Sequence, residues 1–147
     1  MFKFAIPVLH VSSSAAAEKF YCGQLGFKQS FAYRFDDAKS DPCYMGLTRD
    51  EVRLHVSSFS GDGVSGGVVF LVVKDVDDVH EELKAKGIPI DLEPTDQSWG
   101  NREMYISDPD GNSIRFVHGG DLSGSELHGL PGRASTSEYD HRAGLMS

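Results

Sequence analysis

Arg53, His55 and Arg115 stand where a strand could turn them toward a ligand. In Val52-Arg53-Leu54-His55-Val56 the apolar residues share one face of a strand, which sends Arg53 and His55 to the other, and Ile114-Arg115-Phe116 has the same parity. Two guanidiniums on such a face suit a carboxylate, phosphate or sulfate, or else pair with an acid of the chain such as Glu103. Trp99, the only tryptophan, lies in a polar loop beside Gly100. There its ring can stack on a planar or cationic ligand, or plug the end of a sheet. Tyr33 and Phe35 share a strand face with Phe31 and read as an aromatic wall of a groove or as ordinary core, while Phe31 is expected in the core.

Other reactive side chains carry less. His80 sits among Asp77, Asp78, Glu81 and Glu82, as expected of a solvated acidic helix face. His10 and His118 fall at strand ends, where packing or exposure is expected. No serine or cysteine adjoins a histidine base, so nucleophilic catalysis has no constellation and no catalytic residue is assigned. Cys22 and Cys43 lack Cys-x-x-Cys spacing and read as reduced, buried thiols. Asp108-Pro109-Asp110-Gly111-Asn112 lacks the remaining ligands of a calcium loop and reads as a structural turn.

The elements that position these residues form two matching runs. Phe4 to Val11 reads as a strand with Pro7 at an edge. Ser13 or Ser14 caps a helix ended by Gly26, and strands follow over Phe27 to Phe35, Cys43 to Thr48 and Glu51 to Ser57. After a Gly/Ser-rich connection come a strand over Val68 to Val73, a helix from Asp75 to Gly87, and strands over Ile88 to Leu92, Arg102 to Ser107 and Asn112 to His118. Each run is βαβββ, about residues 3–57 and 67–118. Met45-x-Leu47-Thr48 with Val52-Arg53-Leu54 echoes Met104-x-Ile106-Ser107 with Ile114-Arg115-Phe116, so a duplicated module is the economical reading. One module is too small to bury its own sheet, so two pack together or pair between chains. Residues 119–147 are rich in Gly and Ser and read as a flexible tail or an arm that orders on a partner.

Composition bounds the function. The 147 residues carry a formal charge of −8, with 22 acidic against 14 basic side chains. Such a chain repels phosphate backbones and attracts cations, which argues against nucleic acid as a partner. The longest apolar runs are strand length and the N-terminus has no signal-peptide pattern, so no membrane association and a cytoplasmic location are expected.

Three motifs carry a resemblance over residues 4–118. Leu25-Gly26-Phe27 after Phe20-Tyr21, a helix ending Leu83-Lys84-Ala85-Lys86-Gly87, and Asp108 to Asn112 followed by a strand resemble the vicinal oxygen chelate superfamily. That superfamily includes glyoxalase I, extradiol dioxygenases, thiol transferases acting on fosfomycin, and bleomycin-resistance proteins. The resemblance implies an α+β fold in which two βαβββ modules form a curved mixed sheet around a pocket, as a dimer. Ala5-Ile6-Pro7-Val8-Leu9 and Gln97-Ser98-Trp99-Gly100 are most similar to the bleomycin-resistance branch, where the proline accompanies exchange of the arm between subunits.

The superfamily's enzymes hold a divalent ion with one residue from each of four strands. Matched to this sequence, those positions are Ile6, Arg53, Val68 and Arg115, none of which offers a lone pair to a metal. The resemblance therefore implies a homodimeric binding protein without metal or cofactor. It would sequester a bleomycin-like antibiotic or related metabolite in a dimer-interface groove, with Trp99, Arg53, His55, Arg115, Tyr33, Phe35 and Glu103 as ligand contacts. The alternative is a metal-dependent enzyme of the superfamily with displaced ligands, among them His55 and Glu103.

Overall fold

In the computed structural model residues 1–119 are described, so all but the first residue of the expected tail lies outside the described residues. The first module begins with β1 (Val8–His10), shorter than the expected Phe4 to Val11. Pro7 has no N–H to give a ladder, and only its carbonyl is used, by the N–H of His55. Ser13 then caps α1 (Ser14–Glu18), its Oγ accepting from the Ala16 N–H. The helix does not continue regularly. It widens into a π-helical turn (Lys19–Gln24) that closes on Leu25 N–H to Phe20 C=O, with Phe20 and Tyr21 buried.

β2 (Lys28–Arg34), β3 (Cys43–Arg49) and β4 (Val52–Ser57) complete the module. The second module repeats the order with β5 (Val68–Val72), α2 (Val76–Ala85), β6 (Leu92–Asp96), β7 (Asn101–Ser107) and β8 (Ser113–Gly119). Asp75 caps α2 by accepting from the Asp77 N–H. At the other end Gly87, with φ 71°, permits a Schellman turn in which Gly87 N–H reaches Lys84 C=O and Ile88 N–H reaches Leu83 C=O. Ile88 is thereby buried at the helix cap, and the strand expected over Ile88 to Leu92 instead runs from Leu92 to Asp96.

The strands form two four-stranded sheets of matching order, β1-β4-β3-β2 and β5-β8-β7-β6. The β1–β4 and β5–β8 pairs are parallel and the others antiparallel. The two sheets keep the same parity but not the same pairing. Leu47 lies opposite Leu54, whereas Ile106 lies opposite Ile114, so the echo read along the chain is two residues out of step across the hairpins. The same offset puts Phe70, not Val68, beside Arg115.

Residues from the helix side of both sheets share one apolar core, including Leu54, Val56, Leu71, Leu83, Ile106 and Ile114. The Asp108 to Asn112 turn locks the modules together. Tyr21 OH donates to Asp108 at 2.7 Å, and the Asn112 amide donates to Asp108 and the His10 carbonyl while accepting from the Gly66 and Gly67 N–H groups. Burial, then the Asp108 charge, pushes the Tyr21 phenol far above its ordinary range, so it serves as a permanent donor. No helix among the described residues is long and apolar enough to cross a membrane.

Candidate functional site

The faces turned away from the shared core are the two sheet surfaces that carry Arg53, His55 and Arg115. On the first sheet, Phe31, Gly46 and His55 form one cross-strand row, and Tyr33, Tyr44 and Ser57 the next. Gly46 makes the arrangement possible: a Cβ there would lie 2.2 Å from Phe31 Cε1. Without it, the Phe31 ring lies across the strand, edge-on to His55 at 5.3 Å and stacked with Tyr44 at 6.1 Å. Phe31 is 44% exposed, so the expectation of a core residue is corrected: its parity is that of Tyr33, on the side opposite the helix. Tyr33 stacks on Phe59, and Phe35 is 82% exposed.

Within this aromatic row, Tyr44 OH meets His55 Nδ1 at 2.7 Å. Burial holds the His55 imidazole below its usual pKa and pushes the Tyr44 phenol up, the latter with help from Asp62. At neutral pH the ring is therefore uncharged, and the contact joins a phenol to a neutral imidazole. Arg53 is exposed and packs its guanidinium over the Phe4 ring at 4.4 Å.

The second sheet's face is closed by comparison. Glu103, at 0% exposure, accepts from Trp99 Nε1 at 2.8 Å through one oxygen and from Tyr105 OH through the other. Arg115, 4% exposed, lies over the Tyr105 ring at 4.4 Å and donates from Nε to Ser113 Oγ. Trp99 is itself only 7% exposed, so in this chain it closes the end of the sheet and does not offer an open platform. In the same loop Gln97 and Asn101 are buried, and Gln97 Nε2 and Asn101 Oδ1 meet no hydrogen-bond partner among the described residues. Beside this cluster Val68, Phe70 and Val72 present an exposed apolar strip along β5.

The structure thus gathers Tyr33 and His55 on one sheet, with Arg53 at its margin, and Trp99, Glu103 and Arg115 on the other. Phe35 joins neither group closely. Sequence reasoning missed Phe4, Tyr44, Gly46, Phe70 and Tyr105. For Tyr44 and Tyr105 the signal was strand parity. For Phe70 it was an apolar strand too short to reveal that both its sides were apolar, and nothing local marked Gly46. His80 is also corrected: its side chain is largely buried and pairs with Glu93 on β6 at 2.7 Å, so it does not belong to a solvated helix face. His118 accepts the Val76 N–H at the start of α2. Cys43 is buried and Cys22 only partly so; burial raises both thiols above their usual range, which keeps them unreactive.

A divalent ion does not fit the positions implied for it. Arg53 and Arg115 are cations without lone pairs, and Ile6, Val68 and the neighbouring Phe70 are hydrocarbon. Among the described residues no three His, Cys, Asp or Glu side chains are gathered so as to hold a metal.

A family model described as a glyoxalase superfamily protein matches residues 1–122. Bleomycin resistance proteins of Geobacillus stearothermophilus and Staphylococcus aureus are each 28% identical over 134 residues, spanning 76% of this chain and 93% of the relative. Among solved structures, a bleomycin-binding protein complexed with bleomycin superposes with TM-score 0.63 at 26% identity, covering 80% of this chain and 98% of that one. A bleomycin resistance determinant encoded on the transposon Tn5 gives 0.65 at 25% identity, covering 82% and 100%.

Proposed function

The chain belongs to the glyoxalase superfamily, and from that premise we propose that it binds and sequesters a small molecule without metal or catalysis, in the manner of a bleomycin-resistance protein. The observation that carries this reading is the open aromatic and imidazole face of the first sheet. Phe31, Tyr33, Tyr44 and His55 offer stacking area and a neutral imidazole, while the metal positions hold guanidinium and hydrocarbon. The ligand is a bleomycin-like antibiotic or a related metabolite with flat rings, and the acidic net charge favours a cationic one.

The groove is completed by a second copy of the chain in a cytoplasmic homodimer. Two observations support that. Val68, Phe70 and Val72 on one sheet and Phe4, Val8 and Phe31 on the other leave apolar surface exposed in a single chain. Gln97 Nε2 and Asn101 Oδ1, moreover, are buried without a hydrogen-bond partner among the described residues.

The test is calorimetric titration of chelator-treated protein with metal-free and copper-loaded bleomycin. Saturable binding near one drug per subunit, weakened by Phe31→Ala and by His55→Ala, is expected. No heat at high protein concentration would remove bleomycin as the ligand; stoichiometric metal in protein purified without chelator, lost in His55→Ala, would favour an enzyme.

A further inference from the structure

A cavity apart from the aromatic face of the first sheet offers room for a second ligand. With a volume of about 650 Å³, it opens where the start of β4 and the end of β5 meet α2. Its floor is made by Leu25, Phe27, Leu71 and Phe116, all buried members of the core, with Val52 and Val79 at its sides. That volume falls within the range of small-molecule sites, and the apolar floor would take a ring system or short alkyl body.

The rim has one sign of charge left over. Arg49 is occupied: its two terminal nitrogens hold Glu82 at 2.9 and 2.8 Å, and one also donates to the Leu25 carbonyl. This clasp ties the β3–β4 turn to α2 and closes one end of the cavity. Among the described residues, Asp50, Glu51, Asp75 and Asp78 remain at the mouth against Lys74. Glu51 and Asp78 make no ion pair among the described residues, and Asp50 is exposed with only a 3.9 Å approach to Arg49 Nε. An anion entering here meets four carboxylates, whereas a cation meets field lines focused by an apolar wall.

We propose that this inter-module cavity binds an organic cation with an apolar body, an amine or quaternary ammonium whose charge rests among Asp50, Glu51 and Asp78 while its body lies on Leu25, Phe27, Leu71 and Phe116. The site shares no residue with the aromatic face of the first sheet, so its ligand is bound independently of the sequestered molecule.

The probe is naphthylmethyl-trimethylammonium, with naphthalenesulfonate as its anionic counterpart, titrated into the full chain and followed by amide chemical shifts. Saturable binding of the ammonium is expected, with shifts at Leu71 to Asp75 and at Asp50 to Val52, and at least tenfold weaker binding of the sulfonate. Asp50→Asn with Asp78→Asn should weaken the ammonium about tenfold, as expected for two exposed charges. Both sites are exposed, and asparagine tolerates the left-handed backbone of Asp50 (φ 51°), so the fold is kept. Equal binding of the sulfonate, an unchanged affinity in the double variant, or shifts confined to Tyr44 and His55 would each overturn the assignment. None of these results bears on bleomycin titration.

Discussion

Trp99→Phe tests whether the indole holds the buried glutamate in place. Glu103 is fully buried and its Oε2 accepts the Trp99 Nε1 proton at 2.8 Å in a dry setting. Losing that donor leaves a buried acceptor unsatisfied and costs about 1–3 kcal/mol. Replacing indole by phenyl at a site only 7% exposed removes further apolar contact, on the order of 1 kcal/mol. The sum is about 2–4 kcal/mol, a fall in Tm of roughly 8–16 °C for a domain of this size. Because Trp99 is the only tryptophan, unfolding must be followed by circular dichroism. The coupling is isolated by a cycle with Glu103→Gln, whose cost should be smaller by about 1 kcal/mol or more once the indole is gone. A Trp99→Phe protein within about 0.5 kcal/mol of the parent, together with an additive cycle, would refute the reasoning and return Trp99 to the role of a ligand platform.

Three other changes read the remaining parts of the structure. Gly46→Ala drives Phe31 off the first sheet; lost ring contacts of about 0.5–1.5 kcal/mol are offset by about 0.4–1 kcal/mol from the stiffer unfolded chain. Urea stability should thus hardly move, while bleomycin affinity measured by calorimetry falls severalfold. His55 has a lowered pKa in the fold, so the unfolded chain takes the proton first. Its contribution is full above the ordinary value of 6.5 and is lost as pH falls toward the lowered value. Urea midpoints measured from pH 8 to 5 should show this slope, and His55→Gln should flatten it. Arg49→Ala breaks the clasp on Glu82 and the Leu25 carbonyl. Since both side chains are about a third exposed, the loss is about 1 kcal/mol by denaturation, and it should shrink in acid as Glu82, held low by Arg49, finally protonates.

Element order and face assignment were legible along the chain because they rest on local physics. Helix caps at Ser13 and Asp75 and the left-handed Gly87 announce themselves by residue type, and parity alone turned Arg53 and His55 away from the core. What was hidden depends on partners distant in sequence. Ile88 was drawn from a strand to the α2 cap by a hydrogen bond to Leu83, and β1 was shortened because the β4 ladder uses only the Pro7 carbonyl. The two-residue offset between hairpins is invisible along the chain, since a two-residue connection in one module faces the longer Asp108 to Asn112 turn in the other. Phe31 was misjudged because a large aromatic normally earns burial; the space that lets it lie on an outer face comes from Gly46 on another strand.

The duplicated modules have kept their topology and their inner faces while their outer faces have diverged. Where the first sheet sets His55 beside Gly46, the second sets Arg115 beside Tyr105 with Glu103 in the next row, so one offers open rings and the other a buried polar cluster. In one chain the two faces point away from a common core, and a single ligand cannot touch both. Setting the first face of one copy against the second face of another unites them, and a closed twofold dimer repeats the groove twice. This arrangement has a signature that binding on one chain cannot imitate. Phe31→Ala and Phe70→Ala, exposed on different sheets, should each abolish both grooves of their own homodimer. When the two variants are unfolded together and refolded at equal ratio, half the dimers are mixed. Each mixed dimer has one groove carrying both changes and one carrying neither, so about a quarter of the bleomycin capacity should return. Full additivity of the parent stocks, with no capacity regained, would mean that the two faces do not meet across copies.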